Sequence, residues 1–141
     1  MTALDLRVAE QVLSAQPFSE LIGARITAFG AGAAVLEIDV ADRHRQQFGL
    51  VHGGVLAYCV DNALTFAAGT VLGGDILTGG LTVTYLAAAT DGVLRATGTV
   101  VASDARRAVV DVVVEVLAPD GSATTCAVGQ GTAVVRGRAA G

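Results

Sequence analysis

One stretch limits the folds open to this chain more than any other. From Val55 to Val71 nearly every residue is apolar, and the run is long enough for a helix. A helix that is apolar on all sides has to be enclosed by the rest of its protein. Yet Asp61 and Asn62 stand in the middle of it. An unpaired carboxylate in apolar surroundings is costly, and it persists only with altered protonation, a partner or a chemical role. The stretch also admits a strand over "VLAYCV" with Asp61 capping a shorter helix. Against that parse, no acid or Gln follows three places later to complete a capping box.

The flanking sequence supplies what would enclose such a helix. Residues 24–29 and 33–40 read as two strands joined by a glycine-rich turn at 30–32. After "GGD" the pattern stays strand-like to the end, over 76–89, 93–102, 108–117 and 123–135. In 108–117 the even positions are Ala108, Val110, Val112, Val114 and Val116, while Asp111 and Glu115 fall among the odd ones. That alternation describes one dry face and one mixed face. Short turns between neighbours imply antiparallel pairing. Ahead of all this, apolar residues at helical spacing predict an N-terminal helix over about 3–15, with Pro17 marking its end. The expected architecture is α+β: a curved antiparallel β-sheet wrapped around one long central α-helix. A single domain spans 1–141, with its core over 18–135 and a tail at 136–141.

Composition removes several functional classes. With 52% hydrophobic and 16% charged residues, the chain is not of the disordered kind. A net charge of −4 and nine scattered arginines, with no lysine, argue against nucleic-acid binding. Asp61, Asn62 and Thr65 interrupt the longest apolar run, so no membrane span is expected, and the N-terminus lacks a signal-peptide core. Cys59 and Cys126 match no metal spacing and are too few for a disulfide framework. A cytoplasmic protein without a metal is the resulting expectation. The apolar excess points to surface buried against another subunit.

Candidates for chemistry cluster around the helix start. "HGG" at 52–54 places backbone without side chains where a helix offers unpaired N–H groups and a positive dipole end. Such N–H groups suit a polarised carbonyl or an oxyanion, although the glycines serve a tight entry turn equally well. Asp61 follows Gly54 by seven residues, which returns it to the same helical face about 10 Å further along. The two cannot reach one carbonyl from the same helix. A joint role therefore demands a second copy with its helix antiparallel, hence a homodimer with composite sites. The alternative is a core carboxylate satisfied by backbone or by Asn62. His52 could act as a base, but its place before the helix favours bracing the loop. A Cys59–His52 nucleophile pair meets the same separation, and Cys59 reads more simply as a small buried hydrophobe. His44, between Arg43 and Arg45, reads as solvated loop.

"GLVHGGVLAYCVDNA", followed by "LTVTYLAAA", resembles the hotdog-fold acyl-CoA thioesterases of the phenylacetate-pathway (PaaI-like) type. The resemblance covers roughly residues 18–135. It implies hydrolysis of an acyl-CoA thioester to a free acid and coenzyme A, with no cofactor beyond the coenzyme A of the substrate. It assigns the Gly54 N–H, supported by Gly53 and His52, to the thioester carbonyl. Asp61 becomes the nucleophile or general base, Gln46 orients substrate or water in place of the commoner Asn, and Thr78 helps hold the water. Arg106 and Arg107 would meet coenzyme A phosphates. Tyr58, Phe66 and Leu81 read either as lining of the acyl pocket or as plain core. A homodimer, assembled further as a dimer of dimers (a homotetramer), is implied as well. Other readings on this fold are a non-catalytic acyl-CoA-binding protein, a hydratase or dehydratase, and a hydrolase of acyl-carrier-protein thioesters. The acyl group itself is not legible; aromatic or medium-chain groups are what the family offers.

Overall fold

The computed structural model describes residues 4–137. Helices α1 (Leu6–Ser14) and α2 (Pro17–Ile22) precede strands β1 (Ala24–Gly30) and β2 (Ala33–Asp39). A 3₁₀ turn at Asp42–His44 and a loop lead into the long helix α3 (Gly53–Leu72). Strands β3 (Ile76–Tyr85), β4 (Val93–Ser103), β5 (Arg107–Leu117) and β6 (Ala123–Val135) complete the chain. The strands form one sheet in the order β1-β2-β4-β5-β6-β3, antiparallel throughout. Helix α3 touches all six strands, as the expected enclosure requires. Register shifts at Ile26/Ala28, Thr78/Gly80, Val100/Ala102 and Val114/Glu115 add the local bends by which a sheet curls.

The core lies between α3 and the inner face of the sheet. Cys59, Val60, Ala63, Leu64 and Ala67 of the helix are fully enclosed, as are Ala108, Val110 and Val114 of β5. Two glycines set how close the helix can lie. A Cβ added at Gly98 of β4 would stand 2.6 Å from the Ala63 carbonyl oxygen, and one at Gly129 of β6 would stand 2.6 Å from Val60 Cγ1. These positions accept glycine alone because helix backbone and side chain press directly on the strands.

Several expectations need correction. Pro17 does not end a helix but opens α2 at its first position, where a missing N–H costs nothing and φ is already helical. The N-terminal helix is Leu6–Ser14, started by Asp5, whose carboxylate accepts from the Val8 N–H at 3.0 Å. Strand β3 stops at Tyr85, and residues 86–89 leave the sheet. His44 is not solvated: it is only 2% exposed. Its Nδ1 accepts from the Ala41 N–H at 2.9 Å, which places the proton on Nε2, and Nε2 donates to the Ile22 carbonyl at 2.7 Å. Helix α3 has the length and apolar composition to cross a bilayer despite its polar residues, but it is the core helix around which the sheet wraps. Residues 138–141 of the expected tail and residue 3 of the expected helix lie outside the described residues.

Candidate active site

Helix α3 is not apolar all round. Tyr58, Asp61, Asn62 and Thr65 recur at i, i+3, i+4 and i+7, so they form a single stripe along it. That stripe faces a cavity of about 600 Å³ bounded by α1 and α2 on one side and by edge strand β3 on the other. Gly54, Tyr58, Asp61, Thr78 and Leu81, all singled out from sequence, line it, and Phe66 does too. Gln16, Ser19, Asn62 and Thr65 also line it and had no assigned role. The stripe spacing is the signal that would have found Asn62 and Thr65.

Asp61 is half-buried on the cavity wall. Thr78 Oγ1 donates to Asp61 Oδ1 at 2.5 Å. Thr78 sits at the bulge of β3, where the extra residue turns its side chain towards the helix. Asp61 Oδ2 has no partner among the described residues and is not buried without one, so it remains open to the cavity. The acid in the apolar run is thus neither enclosed nor without a partner.

The helix start is built differently from its sequence reading. His52 is the N-cap: its Nδ1 accepts from the Gly54 N–H at 2.8 Å. That occupies the donor assigned to a substrate carbonyl. The Gly53 N–H, first of the helix, meets no acceptor among the described residues. The Gly53 carbonyl accepts from the Tyr85 hydroxyl at 2.9 Å, and a Cβ at Gly53 would come within 3.3 Å of the Tyr85 ring. The glycine therefore permits a close approach as well as an open N–H.

Gln46 does not line the cavity. Its Oε1 accepts from the Phe48 N–H at 2.5 Å, folding the side chain back onto its own loop. Arg45 braces that loop, donating to the Gly49 carbonyl at 2.9 Å, the Thr90 carbonyl at 3.1 Å and Asp91 at 2.6 Å. Arg106, on the β4–β5 turn, and Arg107, the first residue of β5, are exposed and do not line this chain's cavity. Their backbone N–H groups donate to Asp104 Oδ1 and hold its carboxyl below the usual range. Cys59 is fully buried, and burial pushes its thiol up to about 12, which removes it as a nucleophile. No cluster of metal-ligating side chains occurs among the described residues.

A six-stranded antiparallel sheet in this order, closed around one long helix with a carboxylate over a cavity, defines a hotdog protein of the thioesterase type. The family model of the thioesterase superfamily matches residues 48–121, more than half of the chain, and the chain belongs to that family. Solved structures of the same fold include a conserved protein of Pseudomonas aeruginosa, 28% identical, with a TM-score of 0.78 over 88% of this chain and 97% of that one. A variant of the phenylacetic acid degradation protein PaaI from Thermus thermophilus is 25% identical, with a TM-score of 0.75 over 86% and 100%. The PaaI protein of the E. coli phenylacetic acid degradation operon shares the fold at 21% identity and a TM-score of 0.80, over 93% and 92%. The chain is of this PaaI-like type. No curated sequence matches it significantly.

Proposed function

We propose that this protein hydrolyses an acyl-CoA thioester to the free acid and coenzyme A. The observation that carries the reading is Asp61: one carboxylate oxygen is held by Thr78 and the other is open to a largely apolar cavity. Asp61 either takes a proton from an attacking water or attacks the carbonyl carbon itself. In the first route the water oxygen adds to the acyl carbon, the C–S bond breaks, and the proton held by Asp61 passes to the departing coenzyme A thiolate. In the second the Asp61 oxygen displaces the thiolate, which takes a proton from water, and a further water then cleaves the acyl–aspartyl anhydride to free acid and Asp61. A thiolate leaves readily, so the remaining task is to polarise the carbonyl, for which an unpaired N–H at a helix start is suited. With the Gly54 N–H taken by His52, that task falls to the Gly53 N–H.

The start of α3 and Asp61 lie about two turns apart on one helix, too far to share one carbonyl. The proposal therefore includes a homodimer in which each chain lends its helix start to the other's Asp61. Among the described residues strand β3 has an unpaired edge, as pairing with a second copy would need. Neither histidine lines the cavity, which weighs against a hydratase or dehydratase with a catalytic His.

The test is thiol release from a panel of short, medium, long and aromatic acyl-CoAs, with acyl-carrier-protein thioesters as a further arm. Asp61→Asn is expected to lower kcat by about 10²–10⁴, the usual worth of a positioned base. Near wild-type turnover by that variant would sink the mechanism. Saturable acyl-CoA binding without thiol release would make the protein a binder.

A further inference from the structure

Strand β3 holds helix α3 at a second point besides Thr78. The Tyr85 hydroxyl, at the far end of the strand, donates to the Gly53 carbonyl at 2.9 Å. Tyr85 is half-exposed, but its backbone is anchored. It pairs with Ala127 of β6, and the next residue, Leu86, donates its N–H to the Cys126 carbonyl at 2.9 Å. The ring lies directly on Gly53, where an added Cβ would stand 3.3 Å from both Cζ and the hydroxyl oxygen. One lone pair of the Gly53 carbonyl belongs to the helix ladder, so the hydroxyl does not rescue an orphan. What it adds is position.

The bond falls on the softest link of the site. The peptide between Gly53 and Gly54 has no Cβ on either side, so it swings about ψ of Gly53 and φ of Gly54 with little steric resistance. It is held at both ends: the Gly54 N–H by His52 Nδ1 at 2.8 Å, and the Gly53 carbonyl by Tyr85. The two holds are not equivalent. His52 is the N-cap and moves with the same loop, whereas Tyr85 comes from the sheet. The Gly53 N–H is joined to this planar unit through a single Cα, so its direction follows that of the unit. That N–H meets no acceptor among the described residues.

Resting on the thioesterase reading and its composite dimer, we propose that Tyr85 is a positioning residue for carbonyl polarisation. Through the Gly53 carbonyl it aims the Gly53 N–H at the thioester oxygen; it moves no proton and touches no substrate. In the dimer that N–H serves the site built on the other copy's acid, so Tyr85 acts across the interface. Thr78, on the same strand, acts on the acid of its own chain. One strand thus sets the acid of one site and the donor of the other.

Tyr85→Phe keeps the ring and removes the bond. It is expected to lower kcat about 10-fold at unchanged KM, short of the roughly 10²–10³ that loss of such a donor costs, because the N–H is misaligned and not removed. Heterodimers isolated through two different tags then locate the effect. With Asp61→Asn on one chain and Tyr85→Phe on the other, one site keeps both an intact acid and an intact donor, and about half of the wild-type kcat should remain. With both substitutions on one chain, only about one-twentieth should remain. Were Tyr85 to act on the acid of its own chain, the two hybrids would exchange values. A purely structural role would lower the melting temperature and treat the hybrids alike. The proposal is overturned if Tyr85→Phe keeps kcat within twofold of wild type, or if the second hybrid equals or exceeds the first. If the wild type hydrolyses no thioester, the thioesterase reading fails by itself; if the two tags do not copurify, the composite dimer does. Amide exchange of Gly54, read by NMR, then decides the hold. Tyr85→Phe should speed it by roughly 3- to 10-fold, the worth of one neutral hydrogen bond, and a change below twofold overturns the assignment.

Discussion

Replacing Thr78 by Val removes one hydroxyl and keeps the shape of the side chain. The Thr78–Asp61 bond is 2.5 Å long and runs from a neutral hydroxyl to a carboxylate. Hydrogen bonds to charged groups contribute about 1.5–3 kcal/mol. If that bond fixes the rotamer from which Asp61 Oδ2 acts, its loss lowers kcat by roughly 10- to 150-fold, at 1.36 kcal/mol per tenfold. KM should change little, because no substrate contact is removed. Thr78→Ser restores the hydroxyl and should recover most of the rate. The assay is steady-state thiol release on the best acyl-CoA, with a thermal melt to show that each variant is folded. The reasoning is refuted if Thr78→Val keeps kcat within twofold of wild type on a substrate whose turnover Asp61→Asn abolishes. The bond would then be a resting contact without a part in the reaction.

Further outcomes can be measured without a substrate. Gly98→Ala sets a Cβ against the Ala63 carbonyl oxygen at 2.6 Å, and overpacking of this kind costs about 1–3 kcal/mol, readable as a lower urea midpoint at unchanged m-value. An unchanged midpoint would mean that helix and sheet are less tightly apposed. Cys59, with its thiol pushed up to about 12, carries a thiolate fraction of roughly 10⁻⁴ at pH 8. It should resist iodoacetamide in the folded protein and react once urea unfolds it; rapid native labelling at that residue would contradict its burial. His52→Ala removes the N-cap of α3 and should cost about 0.5–2 kcal/mol of stability. No loss in the urea midpoint would show that the His52–Gly54 bond is not maintained in solution.

The central helix was readable because an apolar run of that length has one home, inside a sheet. Its polar stripe was not, because the count of apolar residues hides the spacing of Tyr58, Asp61, Asn62 and Thr65. His44 looked solvated between two arginines, yet what buries it is the Ile22 carbonyl, 22 residues away in the chain. Pro17 carries both meanings in sequence, a stop for the helix before it and a start for the one after. The site divides in the same way. Asp61 could be named from residue type and position and Thr78 from the family resemblance, whereas the choice between the Gly53 and Gly54 N–H groups depends on where the His52 ring turns. Gln16 and Ser19 lie just past the expected N-terminal helix, where the sequence suggested no element, and they reach the cavity through the tertiary docking of α2 beside Tyr58. Strand order was equally out of reach, since β3 pairs with β6 across more than forty intervening residues.

Among the described residues, strand β3 pairs on one side with β6 and leaves its other side bare. It also carries the bulge from which Thr78 reaches Asp61. A force applied along the bare side is therefore felt at the carboxylate within a single strand's width. Changes to whatever borders that edge cannot be made independently of the acid. In the homodimer proposed above, drift in the way the two copies meet should register first as drift in rate, before any loss of fold.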